Sequence, residues 1–132
     1  MNNIEFKKLH TLEERKHEFS RISNRFPNKI PLIIENKNTS KLLIPDILKK
    51  KFLVPSDMTI SQLLIVLRKR IQVESTTAIF LFVNDYIIPP GNSLISELYI
   101  SYKDIDGFLY LGYRGENTFG SPIKMILFKQ TN

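Results

Sequence analysis

A chain of 132 residues with 42% hydrophobic and 24% charged residues has room for one compact core and not for two comfortable domains. It contains no cysteine, which excludes disulfides, thiolate metal centres and thiol nucleophiles from its own chemistry. Its formal charge of +6 favours anionic partners, no apolar run reaches the roughly 18–20 residues of a membrane span, and Glu5, Lys7 and Lys8 stand where a secretory signal needs an apolar core, so a cytoplasmic or nuclear location is expected.

A short turn of helix is expected around residues 4–9. Thr11 followed by Glu14 fits a capping box and predicts a helix in which Leu12, Phe19, Ile22 and Phe26 form one apolar stripe, ending before Pro27. Residues 29–35 read as a strand of β-branched and apolar residues, with Pro31 placing an imperfectly paired position near a strand end. Residues 51–55 form a second short strand, and the interval between the two suits a loop or irregular hairpin, hence an antiparallel pair.

Thr59 and Gln62 repeat the capping-box pattern and open a helix through about Ile71, with Ile60, Leu64, Leu67 and Ile71 as its core stripe. Leu63 lies at the stripe's edge, with Val66 and Arg70 beyond it at helical spacing. Two readings stand: part of this helix lines a partner groove, or its buried face is broad and Arg70 is solvated. Residues 78–83 are apolar on both faces, as a central strand is, and Asn84-Asp85 and Pro89-Pro90-Gly91 supply the turns after them. Residues 93–101 can form a short helix, and residues 107–113 an aromatic last strand at the sheet centre. This order of elements predicts an α+β fold, a single sheet with one helix packed across it: a ubiquitin-like β-grasp with two additional N-terminal helices.

His10 and His17 are too far apart for a paired site and have no evident third ligand, so they read as surface histidines. Asp104 and Asp106 flank Ile105 ahead of Gly107, the pattern of a turn entering a strand, with no nucleophile or base beside them. Phosphate-loop and nucleophile-elbow motifs are absent, so enzymatic activity has no sequence support. Lys49-Lys50-Lys51 and Arg68-Lys69-Arg70 are basic clusters suited either to solvated faces or to phosphates of RNA or membrane. Phe119-Gly120 also has two readings: a turn before one more strand, since Ile123, Met125 and Leu127 alternate, or an unhindered terminus exposed by proteolysis.

Taken in order, Asn28-Lys-Ile-Pro31, Lys-Lys-Phe-Leu-Val-Pro-Ser-Asp57, Leu-Arg-Lys-Arg-Ile71, Ile-Phe-Leu-Phe-Val-Asn-Asp85, Asp-Gly-Phe-Leu-Tyr110 and Gly-Glu-Asn-Thr-Phe-Gly120 resemble the autophagy ubiquitin-like modifiers of the GABARAP and autophagy-related-protein-eight type. The resemblance runs from about residue 4 to residue 120. It implies a helical extension over 1–27, a ubiquitin-like domain over 28–120 and a propeptide-like tail over 121–132. By the same resemblance a cysteine protease cuts between Gly120 and Ser121, and E1-like and E2-like enzymes then join Gly120 to phosphatidylethanolamine. Such a lipid anchors firmly, because each buried CH₂ contributes about 0.8 kcal/mol and a single chain alone is marginal.

The resemblance further implies a groove that takes aromatic-x-x-aliphatic peptide motifs of autophagy receptors as an added strand. Its aromatic pocket corresponds to Glu18, Ile22, Pro31, Ile33, Lys51, Leu53 and Phe108, and its aliphatic pocket to Phe52, Val54, Pro55, Leu63, Val66 and Arg70. Two buried anchors at about 1.5–3 kcal/mol each, less ordering costs, give roughly micromolar binding. The loop after Glu35 is longer than usual for this family, and Leu48 stands where an acidic residue is common. No catalytic residue, metal, dissociable cofactor or nucleic-acid partner is implied. The expected location is the cytoplasm, then autophagosome and vacuolar or lysosomal membranes after lipidation. The alternative is a basic nucleic-acid or anion-binding α+β domain; a modifier attached to proteins is less favoured, because such relatives end directly at Gly.

Overall fold

The computed structural model describes residues 5–37, 50–73 and 76–115. The described elements are α1 (Phe6–Leu9), α2 (Leu12–Arg25), β1 (Lys29–Asn36), β2 (Lys51–Pro55), α3 (Ile60–Ile71), β3 (Phe80–Val83), α4 (Ile95–Tyr102) and β4 (Leu109–Arg114). Both long helices start at reciprocal capping boxes. Thr11 accepts from the Glu14 N–H while Glu14 accepts from the Thr11 N–H, and Thr59 and Gln62 do the same. The strands form one mixed sheet in the order β2-β1-β4-β3, with β1 and β4 parallel and the outer pairs antiparallel, which is the expected α+β β-grasp.

Side chains alternate across β1, so Leu32 and Ile34 join the larger core under α3 and α4, while Ile33 faces Phe6, Ile22 and Phe108 under α1 and α2. The helices on both faces of the sheet are why β1 reads as continuously apolar. Pro31 fits because Ile34 donates to the Lys50 carbonyl (2.9 Å). Alternation from that bond turns the Pro31 nitrogen away from β2, toward a side where pairing with β4 begins only at Leu32. After β3, Asn84 and Asp85 adopt left-handed φ values of 55° and 68° in a tight loop closed by the Val83–Ile87 bridge.

Three expectations are corrected. Residues 78–83 do not lie in the middle of the sheet: β3 is an edge strand, and β4 occupies the centre with β1. The apolar outer face of β3 is covered without a neighbouring strand, Phe82 lying 5.2 Å beneath the Arg114 guanidinium. On α3 the fully buried residue is Leu63, with Leu64 only partly buried, so the core stripe is Ile60, Leu63, Leu67 and Ile71. On α2 the stripe stops at Ile22, because the helix ends at Arg25 and leaves Phe26 40% exposed as its C-terminal cap.

Candidate functional site

Among the described residues β2 is an edge strand, paired on one side only, with β1. In the register fixed by the Ile34–Lys50 bond, Phe52 and Val54 exchange hydrogen bonds with β1, which leaves the backbone N–H and C=O groups of Lys51 and Leu53 directed outward. An edge with two outward-facing residues can accept one more strand. Beside it lies a cleft of about 560 Å³ whose walls come from α2 and α3. It gathers Glu18, Ile22, Pro31, Lys51, Leu53 and Phe108 on the α2 side and Phe52, Val54, Leu63, Val66 and Arg70 on the α3 side.

The pleat of β2 makes this two-sided site. Lys51 and Leu53 turn toward α2, while Phe52 and Val54 turn into the α3 core. Phe108 and Leu63 form a fully buried floor, and Leu53 stays 37% exposed at the lip. The lining of the cleft therefore comes from both sides of one extended strand, an arrangement that can receive anchors from alternating faces of a peptide.

Charge surrounds the apolar floor. Glu18 receives two hydrogen bonds from Arg21 (3.0 and 2.8 Å) and one from Lys51 (2.5 Å). The Arg21 bonds, then the Lys51 bond, hold the Glu18 carboxyl down at about 2. At the other end the Arg70 guanidinium sits 5.0 Å from the Phe52 ring centre, a stacked cation whose hydrogen-bond donors can still reach an incoming carboxylate.

Two expected lining residues lie elsewhere. Ile33 has no exposed surface and packs under the floor with Phe6, Ile22 and Phe108, because its position in β1 is covered by α1 and α2. Pro55 borders an adjoining depression of about 420 Å³ with Asp57, Met58, Gln62, Ile65 and Val66. Conversely, Arg21, Arg25 and Met58, and Phe26 expected in the α2 core stripe, also line the cleft. Arg21 follows Glu18 by three helical residues, a pairing visible in the sequence; Phe26 becomes available only because α2 stops one residue earlier.

The α2 wall is pinned by Asp106, whose side chain is fully buried. Asp106 Oδ1 accepts from the Phe108 N–H (2.8 Å), and Oδ2 accepts from Arg15 Nε (2.8 Å) and the Tyr110 hydroxyl (2.6 Å). The turn reading of Asp104 and Asp106 holds locally, since Asp104 accepts from the Asp106 and Gly107 N–H groups. Asp106 in addition ties α2 to the start of β4. Burial, then the bond to Asp106, pushes the Tyr110 hydroxyl well above its ordinary value.

α1 is fastened separately. Glu35 accepts from the Phe6 N–H (2.7 Å), and Lys7 pairs with Asp104 (2.6 Å). Lys37 binds Glu5 (3.0 Å) and lies within 3.9 Å of Glu35, so that Glu5 is held below the usual carboxylate range by the Lys37 hydrogen bond and charge. Among the described residues no group of three or more metal-ligating side chains occurs. Gly120 and Ser121, the expected cleavage and attachment residues, lie outside the described residues, as do Leu48 and Lys49.

A family model described as "Autophagy protein Atg8 ubiquitin like" matches residues 14–120. Autophagy-related protein 8 of Pichia angusta is 55% identical over 116 residues, which span 88% of this chain and 90% of that one. Autophagy-related protein 8d of Arabidopsis thaliana is 48% identical over 115 residues, 87% of this chain and 93% of the relative. In three dimensions the crystal structure of Trypanosoma brucei ATG8 superposes with a TM-score of 0.78 at 39% identity, covering 90% of this chain and all of that one.

Proposed function

The chain belongs to the Atg8 family of ubiquitin-like autophagy modifiers, and from that premise we propose that it acts without catalysis, by recruitment, through a peptide groove at β2 and a lipid at Gly120. The groove takes aromatic-x-x-aliphatic motifs of autophagy receptors. The aromatic side chain enters between α2 and β2 over Phe108, the aliphatic one enters against Leu63 and Val66, and the peptide backbone pairs with Lys51 and Leu53. Acidic residues flanking the motif meet Lys51 and Arg70.

Residues 121–132 act as a propeptide removed by a cysteine protease, after which E1-like and E2-like enzymes join the Gly120 carboxylate to phosphatidylethanolamine. The protein then moves from the cytoplasm to autophagosome and vacuolar or lysosomal membranes. No described helix is long and apolar enough to cross a membrane, so membrane residence in this reading comes from the lipid.

The observation that carries the recruitment reading is the coincidence of an open strand edge with a two-sided apolar cleft. Calorimetric titration of a synthetic aromatic-x-x-aliphatic peptide tests it. Leu53→Ala should weaken binding by about three- to twelvefold, since roughly half of a buried leucine's 1.5–3 kcal/mol is removed. N-methylation of the peptide backbone between its two anchors should do at least as much, and unchanged affinity in both cases would remove the groove assignment.

A further inference from the structure

The basic run Arg68-Lys69-Arg70 forms the last turn of α3 and is only partly used by the groove, through Arg70. Because β1 and β4 run opposite to β2 and β3, the last residues of the first two and the first residues of the others share one end of the sheet. α3 finishes at the same end, as the Arg70–Phe52 contact shows. That end carries Lys50, Lys51, Arg68, Lys69 and Arg70, with Lys69 and Arg70 exposed, while the Arg114 guanidinium lies over the Phe82 ring. Its described acids pair with part of this set, Glu18 with Lys51 and Arg21, and Glu35 with Lys50 and Lys37, so the excess of positive charge lies on the last turn of α3. The opposite end is mixed: Lys29 and Lys103 stand there with Asp57, and Lys7 and Arg15 pair with Asp104 and Asp106.

The chain leaves the sheet at the basic end, through Gly115 after Arg114. Gly120 is five residue steps beyond Gly115, a span of at most about 18 Å when fully extended. A lipid on Gly120 would therefore bring this end, and not the opposite one, toward the headgroup layer. We propose that the end formed by the last turn of α3, the start of β2 and the end of β4 is a docking face for an anionic phospholipid bilayer, which holds the domain upright with the peptide groove along its side.

The proposal rests on the Gly120 reading for its orientation only. Phosphate-bearing lipid is favoured over single-stranded nucleic acid because no large exposed aromatic lies at this end: among the described residues, exposed Phe26 and Tyr86 are at the other. Sequence-tolerant nucleic-acid binding needs such stacking platforms. A planar anionic surface needs only clustered cations within about a Debye length, roughly 8 Å in physiological salt.

The test is sedimentation of the full, unconjugated chain with phosphatidylcholine vesicles and with vesicles containing about one-third phosphatidylserine, at low and near-physiological salt. Binding should require phosphatidylserine and weaken with salt. Each cation close to such a surface is worth about fivefold, so Lys69→Glu with Arg70→Glu should lose at least about 25-fold. Lys29→Glu with Lys103→Glu changes the net charge equally at the opposite end and should lose far less. The pair Lys69→Ala with Arg70→Ala repeats the comparison without new repulsion, and thermal unfolding of each variant shows that the domain is intact.

Equal losses in the two reversed pairs, no preference for phosphatidylserine, or tighter binding of polyuridylate than of vesicles through the same residues would each overturn the proposal. Because no conjugation is involved, such a failure leaves Gly120 attachment standing. Absence of lipid at Gly120, conversely, leaves the vesicle result intact.

Discussion

Replacing Asp106 by alanine should loosen the α2 wall of the groove and cost a large part of the domain's stability. The substitution leaves the nearly buried Arg15 guanidinium, the Tyr110 hydroxyl and the buried Phe108 N–H without their shared acceptor. Removing one partner of a buried charged pair costs about 3–5 kcal/mol, against total stabilities of about 5–15 kcal/mol for single domains. At roughly 4 °C per kcal/mol for a domain of this size, the melting temperature should fall by about 12–20 °C. Asp106→Asn keeps the size of the side chain and an acceptor for Phe108 but loses the charge opposite Arg15, so its loss should be intermediate. Urea unfolding of the three proteins, compared by midpoint at unchanged slope, measures this directly. A loss below about 1 kcal/mol for the alanine variant would refute the view that Asp106 fastens α2 to the sheet.

Glu18 gives a pH signature. Its carboxyl is held at about 2 against an ordinary 4.5, so its contribution is present above about pH 4.5 and is lost as the pH falls through about 2. Glu18→Gln should therefore be less stable than the parent at pH 7, and that gap should close by about pH 2 in urea midpoints; a constant gap contradicts the assignment. Gly107→Ala should destabilise by about 1–3 kcal/mol, read by thermal unfolding. Gly107 has φ 104°, and an added Cβ would stand 2.5 Å from the Phe19 ring. Gln72, the C-terminal cap of α3, has φ 55° in the left-handed region, and Gln72→Gly should raise stability by up to about 1 kcal/mol in the same assay.

Features written in adjacent residues were legible in the sequence. Both capping boxes form between residues three apart, so the starts of α2 and α3 follow from Thr11 and Glu14 and from Thr59 and Gln62. The bounds of β2 are legible for a similar reason, set by Pro55 at one end and by the basic run at the other. Long-range choices were not legible. An apolar run such as residues 80–83 indicates burial on both faces but not what supplies it, and in β3 part of that cover is Arg114 rather than another strand.

Helical spacing likewise placed the α3 stripe within one position and could not separate Leu63 from Leu64, because that depends on how the helix is rotated over the sheet. In the groove, spacing alone assembles nothing: α2, β1, β2, α3 and the residue before β4 meet only after folding. Eleven of the lining residues implied by family resemblance do come together around the cleft, and Ile33 and Pro55 do not. The sequence shows only the turn role of Asp106, because its turn partners are local, whereas Arg15 lies 91 positions away.

The proposed recruitment to membranes depends on a lipid joined to Gly120. Intact mass measurement of the protein isolated from its own starved cells tests it most directly. The expected result is loss of residues 121–132 and a fraction carrying the added mass of phosphatidylethanolamine, both abolished by Gly120→Ala. Only full-length, unmodified chain under those conditions would contradict it.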